Sequence, residues 1–206
     1  MTAITLGALQ PADVRPLARL HRRAFPDFFL STLGEPFLVE FYRGFLHDDT
    51  AVAVVARGPE GAVLGAAVGT LRPVDFFPRL LRRRWPGFVW ASLRAVLSQP
   101  SATPRLLGAV RYRGGADGHG SGALLSSICV DPGHRTRGLG GQLVKAWARR
   151  AGAAGASTAF LNTDAEGNDA VNAFYRKNGW VPSQHFTTPL GRAMIRYSLE
   201  LERERC

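Results

Sequence analysis

The sequence predicts an α/β protein in which helices cover the faces of a central sheet. Three observations lead to this prediction. Strand-like and helix-like segments follow one another along most of the chain, two valine-rich runs flank a tight turn, and a buried strand leads through a glycine-rich loop into a helix. The chain has 206 residues, which is enough for one sizeable core. We therefore expect one domain over residues 1–206.

The first part of the chain supplies a strand, two helices and a hairpin. Residues 3–9 form a short strand, and Pro11 opens a helix with one apolar face. A second helix runs from about 34 to 46. Two valine-rich runs then flank Gly-Pro-Glu-Gly at 58–61, which predicts a hairpin.

Residues of about 75–120 differ in character and predict a basic helical insert between the third and fourth strands. The segment is rich in arginine and aromatic residues, and Pro86 interrupts its helical pattern. Glycines at 114–122 then predict a mobile loop. Three roles for the insert stay open: a lid over the acceptor site, a packing or dimer contact, and a contact with an anionic membrane surface.

The last part of the chain alternates between strands and helices. Residues 123–130 form a buried strand, a helix follows from the glycines near 138, and 158–163 form the next strand. The following helix ends at Gly179, a residue suited to a left-handed cap. The tail, with its alternating pattern, ends the fold with a strand.

Composition excludes some classes of protein and leaves others open. The chain carries 26 basic and 16 acidic residues, and Lys145 and Lys177 are its only lysines. The arginine excess either reflects coding bias or attracts anions, and we expect no nucleic-acid partner. Cys129 and Cys206 do not form a disulfide framework or a metal site, which favours a reducing cytoplasm. We expect neither a signal peptide at the start of this sequence nor a membrane span, since it has no run of about 18 apolar residues.

The glycine loop after the buried strand is the most informative segment. Pro132 stops the strand, and the glycines at 138, 140 and 141 lead into a helix. A helix N-terminus has unpaired N–H groups and a partial positive charge, and glycines let a phosphate come close to them. Arg135 and Arg137 add donors. The segment lacks the Gly-Lys-Ser/Thr of a Walker loop and the third glycine of a dinucleotide fingerprint. We expect a pyrophosphate cradle, with a simple packing turn as the alternative.

This loop resembles the GNAT acetyltransferase family. Residues 135–140 fit its Gln/Arg-x-x-Gly-x-Gly/Ala signature, with Thr136 where glycine is common. The resemblance implies a central mixed, mostly antiparallel sheet and acetyl-CoA as co-substrate. It implies a coenzyme site made of Ile128, Cys129, Val130, Arg135, Thr136, Arg137, Gly138, Leu139, Gly140, Gly141 and Gln142. The strand residues would pair with the pantetheine arm like an added strand.

A second segment resembles the same family. Residues 168–180 match its Asn-x-x-Ala-x-x-x-Tyr-x-x-x-Gly-Phe block, with Val171 and Trp180 as departures. The resemblance and the chemistry of a phenol predict that Tyr175 is the catalytic acid for the leaving thiolate. Asn168 and Asn172 are predicted to bind the coenzyme, and a helix-capping role is the alternative for Asn168.

The acceptor and the general base are less defined. The strand before the glycine loop offers Ser126 and Ser127 where the family often has a carboxylate. The candidate bases are therefore Asp27, Glu35, His21, Asp164 and His185, and residues 25–37 are the best candidate for a wall of the acceptor site.

Three functions compete at this point. The first is N-acetyl transfer from acetyl-CoA to a primary amine, by direct attack in a ternary complex and without a metal. The acceptor is then a small molecule, possibly anionic, or a protein amine. The second is a non-catalytic acyl-CoA-binding module, and the third is a protein that binds polyanions or membranes through the insert. Two kinds of partner also stay open: a second copy of the chain, in a homodimer, and a membrane surface that the basic insert contacts.

Overall fold

A single seven-stranded sheet forms the centre of the molecule. The computed structural model describes residues 4–26, 28–98, 122–189 and 191–202. The strands are β1 Thr5–Gly7, β2 Ala51–Arg57, β3 Val63–Thr70, β4 Ala123–Val130, β5 Thr158–Asp164, β6 Val181–Thr187 and β7 Ala193–Glu200. Their order is β1-β2-β3-β4-β5-β7-β6. Only β4 and β5 pair in parallel; the other neighbours are antiparallel. The predicted mixed, mostly antiparallel sheet is confirmed.

Helices lie on both faces of this sheet, as predicted. The described residues form α1 Val14–Ala24, α2 Phe29–Thr32, α3 Gly34–Gly44, α4 Pro73–Ser98, α5 Leu139–Ala153 and α6 Asp169–Lys177. Tight 3₁₀ turns precede α1 at Pro11–Asp13 and α5 at Pro132–Arg137. Proline suits these first turns because the N–H that it lacks would have no partner there.

Two apolar clusters hold the layers together, one on each face of the sheet. On one face, α1 and α3 bury Leu17, Leu38 and Tyr42 against β3 and β4. On the other face, α5 buries Leu143 and Trp147 against β2, β3 and β4. Each fully buried side chain of this kind stabilises the fold by roughly 1.5–3 kcal/mol.

The insert begins as one long helix, α4, which packs against α3. Pro86 was expected to interrupt it, and the helix instead continues with a kink at Arg84, where φ is −118° and ψ is 16°. The proline ring crowds the preceding turn and removes one N–H, which accounts for a kink just before it. The ion pair of Arg84 with Glu40 and the rings of Phe37 and Phe88, 4.8 Å apart, keep the kinked helix on α3.

The outer side of α4 is exposed and apolar. Leu81, Trp85, Val89 and Leu93 are each about half exposed or more, at 45–62%. The rest of the insert, with most of the predicted mobile loop, lies outside the described residues. The three roles predicted for the insert stay predictions. No helix within the described ranges is both long and apolar enough to cross a membrane.

Candidate active site

The sheet opens in its middle, because β4 and β5 part soon after they begin. Their parallel pairing is limited to Ala123 with Ala159 and Leu124 with Phe160. Beyond these pairs, β4 continues to Val130 and β5 to Asp164, but the two strands no longer pair with each other. The carboxyl ends of two parallel strands thus border a cleft, a position at which α/β proteins commonly bind ligands.

A bulge in β4 lies at the start of this opening. Leu125 pairs with Gly69 and Ser127 with Val68, so that Ser126 is one extra residue. An extra residue reverses the alternation of side chains along the strand. As a result, Ile128 and Val130 pack on the face of α5, and Cys129 packs on the face of α1 and α3.

The same register directs two sets of backbone groups into the opening. The Asp131 N–H donates to the Leu64 carbonyl at 2.8 Å, so the backbone groups of every second residue of β4 point towards β3. The N–H and C=O groups of Ile128 and Val130 point the other way, towards the cleft. An extended molecule could pair with them as an added strand.

Cys129 does not share this position, and its predicted part in the coenzyme site stays a prediction. Its backbone groups face Ala66 in β3, and its side chain is 2% exposed. Burial raises the pKa of its thiol to about 12, so the side chain stays protonated. Cys129 therefore packs as a small apolar residue and cannot act as a nucleophile.

The three glycines of the loop are required for two different structural reasons. Gly138 adopts φ +72°, and an added Cβ would meet no atom of the described residues within 4 Å. A Cβ on Gly140 would lie 3.2 Å from the Phe174 ring, and one on Gly141 would lie 3.1 Å from Asn178 Oδ1. Gly140 and Gly141 thus let α5 approach α6 closely, and Gly138 makes the turn and leaves open space in front of it.

The first turn of α5 keeps its donors available. Gly138 occupies the N-cap position, and it has no side chain that could cap the helix. Because the first N–H groups of a helix have no partner inside it, they and the helix dipole favour an anion in the open space beside Gly138. Leu139 is buried in the core and holds the turn in place, and the Gln142 N–H donates to the Gly138 carbonyl at 3.2 Å.

Asp131, which sequence reasoning did not single out as a site residue, fixes the loop. Its carboxylate accepts from the Gly133 N–H at 2.9 Å and from Arg23 Nη2 of α1 at 2.8 Å. Partial burial alone would raise its pKa, but these two donors lower the pKa of Asp131 below its usual value. The backbone of residues 135–137 completes the 3₁₀ turn. The side chains of Arg135, Thr136 and Arg137 lie outside the described part of the structure.

Tyr175 lies on the same face as the loop and the two free strand residues. It belongs to the cluster that contains Leu139 and against which Ile128 and Val130 pack. Its ring lies 5.8 Å from that of Tyr197, and only 7% of the residue is exposed. Burial raises the pKa of its phenol above the usual value. The hydroxyl is therefore protonated near neutral pH and can donate a proton.

Asn168 and Asn172 use their side chains inside the protein. Both Nδ2 groups donate to the Asp164 carbonyl at the end of β5, at 3.3 Å and 3.2 Å. Asn172 also accepts from the Tyr197 hydroxyl at 3.3 Å. These bonds hold α6 to β5, and the coenzyme contact predicted for the two residues stays a prediction.

The candidate bases occupy different environments. Glu35 pairs with Arg19 and Asp164 with Arg192, His185 is exposed on β6, and Asp27 lies outside the described residues. His21 is buried, and burial lowers its pKa to about 4. Within the described ranges, no group of three His, Cys, Asp or Glu residues could hold a metal ion.

Comparisons with known proteins agree with this geometry. Residues 102–182 match the family model of the acetyltransferase (GNAT) domain. Among curated proteins, none matches the chain in sequence. Many solved structures share the fold.

Three of these structures illustrate the likeness. An acetyltransferase of the GNAT family from Desulfovibrio desulfuricans has a TM-score of 0.64 at 16% identity, over 97% of this chain and 100% of that one. The ribosomal-protein-S18-alanine N-acetyltransferase from Escherichia coli has a TM-score of 0.58 at 15% identity, over 97% and 95%. A mutant of spermidine N-acetyltransferase from Vibrio cholerae has a TM-score of 0.57 at 16% identity, over 96% and 93%.

Proposed function

We propose that the chain is an acetyltransferase of the GNAT type, which transfers the acetyl group of acetyl-CoA to a primary amine of a small molecule, since residues 102–182 match the family model of the acetyltransferase (GNAT) domain. One observation supports this most: the glycine loop, the free backbone groups of Ile128 and Val130, and Tyr175 meet on one face of the sheet beside the opening between β4 and β5. In this proposal the glycine loop binds the pyrophosphate, the strand backbone binds the extended arm, and Tyr175 lies at the leaving thiolate.

In this proposal the thioester supplies an activated acyl group, and the chain's residues do three things. The first turn of α5 holds the pyrophosphate beside Gly138. The Val130 N–H donates to the acyl carbonyl oxygen as charge develops there. As the amine nitrogen bonds to the acyl carbon and the carbon–sulfur bond breaks, Tyr175 gives its proton to the sulfur. The acceptor ammonium first gives one proton to a base or to water, because only the neutral amine can attack. The nitrogen loses a second proton as the amide forms, which restores Tyr175 through solvent, and direct transfer needs no acyl-enzyme.

Calorimetric titration with acetyl-CoA, with coenzyme A and ATP as comparisons, tests the first half of the proposal. We expect acetyl-CoA and coenzyme A to bind in the micromolar range, which corresponds to about 8 kcal/mol, and ATP to bind more weakly. Thiol release in the presence of a panel of amines tests the second half. Binding without release for any amine or peptide would identify a non-catalytic acyl-CoA module instead. Turnover of peptides alone would identify a protein acceptor.

Replacement of Tyr175 with phenylalanine tests the acid. We expect the turnover number to fall by about 10²- to 10⁴-fold, because the sulfur would leave without a proton donor. The affinity for coenzyme A should stay within about twofold, since the ring and its packing remain. Tyr197→Phe is the matched control, as it removes a buried hydroxyl 3.3 Å from Asn172 Oδ1 and leaves Tyr175 in place. Equal turnover in Tyr175→Phe and the wild type would remove the acid role.

A further inference from the structure

Arg196 of β7 is a buried cation without a described counter-ion. The residue is 7% exposed, so more than nine-tenths of it is buried. Its Nε donates to Asn162 Oδ1 at 3.1 Å, and its Nη1 donates to Gln184 Oε1 at 3.1 Å. Both partners are neutral amides, and no carboxylate of the described residues forms an ion pair with this guanidinium. A buried charge is costly unless an opposite charge accompanies it.

The sheet register places this guanidinium in a polar row across three strands. Asn162 of β5 and Gln184 of β6 are the direct partners of Arg196 on its two sides. Phe160 and Phe186 flank the row, and the guanidinium carbon lies 5.1 Å and 5.7 Å from their ring centres. Two amides and two rings therefore fix the orientation of the group. A guanidinium has five N–H donors, and Nη2 makes no hydrogen bond to a described residue, so it can meet an anion.

The row lies on the opposite face from the coenzyme loop. Ile195 and Tyr197 pack into the cluster of α5 and α6, so Arg196, between them, points to the other face. Phe160 is also the last residue of β5 that pairs with β4. Arg196 lies on the strand next to β5, about 4.8 Å away, and pairs with Asn162. Asn162 is two residues, about 7 Å, along β5 from Phe160, where the sheet opens. A molecule that reaches the opening from this face would pass the guanidinium.

From this arrangement we infer that the amine acceptor carries a carboxylate or phosphate group, which Arg196 binds. The inference rests on the proposed function. The thioester must lie in the opening if the amine is to reach it from the face that carries Arg196. The anion supplies the charge that the buried guanidinium lacks, and the distance to the opening suits an amine a few bonds away from the anion. A polyamine, which carries only positive charge, would be repelled from the same position.

Initial rates of thiol release with acetyl-CoA and matched amines test this. We compare 4-aminobutyrate and 3-aminopropylphosphonate with butylamine and spermidine. We expect kcat/KM for the two anionic amines to exceed that for butylamine by about 10- to 100-fold, the range of a charge-assisted pair. Arg196→Gln should bring that ratio close to one. Arg196→Lys keeps the charge without the planar fork and should keep part of the ratio.

Arg192→Gln is the control, since Arg192 lies one residue before β7, is exposed and is paired with Asp164. This variant should leave the ratio as in the wild type. Melting temperatures of all variants show whether the altered ratio belongs to folded protein. Equal or faster turnover of butylamine or spermidine by the wild type would overturn the anion assignment and leave the acetyltransferase intact. An Arg196-dependent preference for succinyl-CoA over acetyl-CoA would place the anion on the acyl group, against this assignment. Absence of acetyl-CoA binding would instead refute the proposed function itself.

Discussion

The two halves of the sheet are built differently. In the half formed by β1–β4, α1 and α3 cover one face and α5 covers the other. In the half formed by β5, β7 and β6, α6 lies on one face, and none of the described helices makes a broad contact with the other. The covered half ends in the glycine loop, where we propose that the pyrophosphate binds. The other half presents a polar row around Arg196, where we propose that the second substrate binds.

The largest expected difference between the halves is in how stability depends on pH. We expect this dependence to arise in the half formed by β1–β4, which helices cover on both faces. His21 is 1% exposed, its Nδ1 lies 2.6 Å from the Tyr42 hydroxyl, and burial lowers its pKa to about 4 from 6.5. Below pH 6.5 the unfolded chain binds a proton that the folded chain does not. The free energy of unfolding should therefore fall as the pH drops from about 6.5, by about 3 kcal/mol at pH 4.

Denaturant titrations of the wild type and of His21→Gln between about pH 4 and pH 8 measure this difference. The variant should lose most of the slope above pH 4, and His185→Gln on exposed β6 should keep it. Asp48 titrates in a lower window, because its hydrogen bond with Arg79 lowers its pKa to about 2. The same slope in His21→Gln and the wild type would contradict a buried, neutral histidine.

A smaller difference should appear between two buried tryptophans. Trp147 of the covered half is fully buried, and its Nε1 donates to the Val52 carbonyl at 3.0 Å. Trp180, beside β6, is 1% exposed, and its Nε1 has no partner among the described residues. Trp147→Phe removes this hydrogen bond, whereas Trp180→Phe removes none to a described residue, so the Trp147 variant should lose about 0.5–1.5 kcal/mol more stability. Urea unfolding of the two variants measures this, and equal losses would show that the Val52 bond contributes nothing net.

Much of the fold could be predicted because its central segments combine apolar patterns with glycine signals. The predicted strand 123–130 has the bounds of β4, and Gly179, with φ +85°, ends the α6 segment as expected. The bounds of β6 could not be predicted from pattern, since this edge strand is mostly exposed and contains Pro182. The one-turn helix α2 is too short to show a period.

The candidate site, like the fold, has a part that could be predicted from the sequence and a part that could not. Glycine positions and a tyrosine after a helical pattern are local signals, so the loop and Tyr175 could be singled out. Asp131 and Arg23 are 108 residues apart, and their contact depends on how α1 crosses the end of β4. Arg196 could not be singled out as a site residue, because its partners Asn162 and Gln184 come beside it only through the strand register. Such pairings depend on tertiary structure and leave no trace in local sequence.

The smallest effect concerns the end of the covered half, at Gly138. Alanine at φ +72° costs roughly 1–2 kcal/mol, although the space around the added methyl group is open. Gly138→Ala should therefore weaken acetyl-CoA binding by up to about tenfold, as the strain shifts the first turn of α5 away from the phosphate. Gly155→Ala is the matched control, since Gly155, at the far end of α5, has φ +95° and equally open surroundings. It should lose similar stability and keep its affinity, as measured by calorimetry. If both variants lost affinity alike, strain alone would account for the loss, and Gly138 would be only a packing turn.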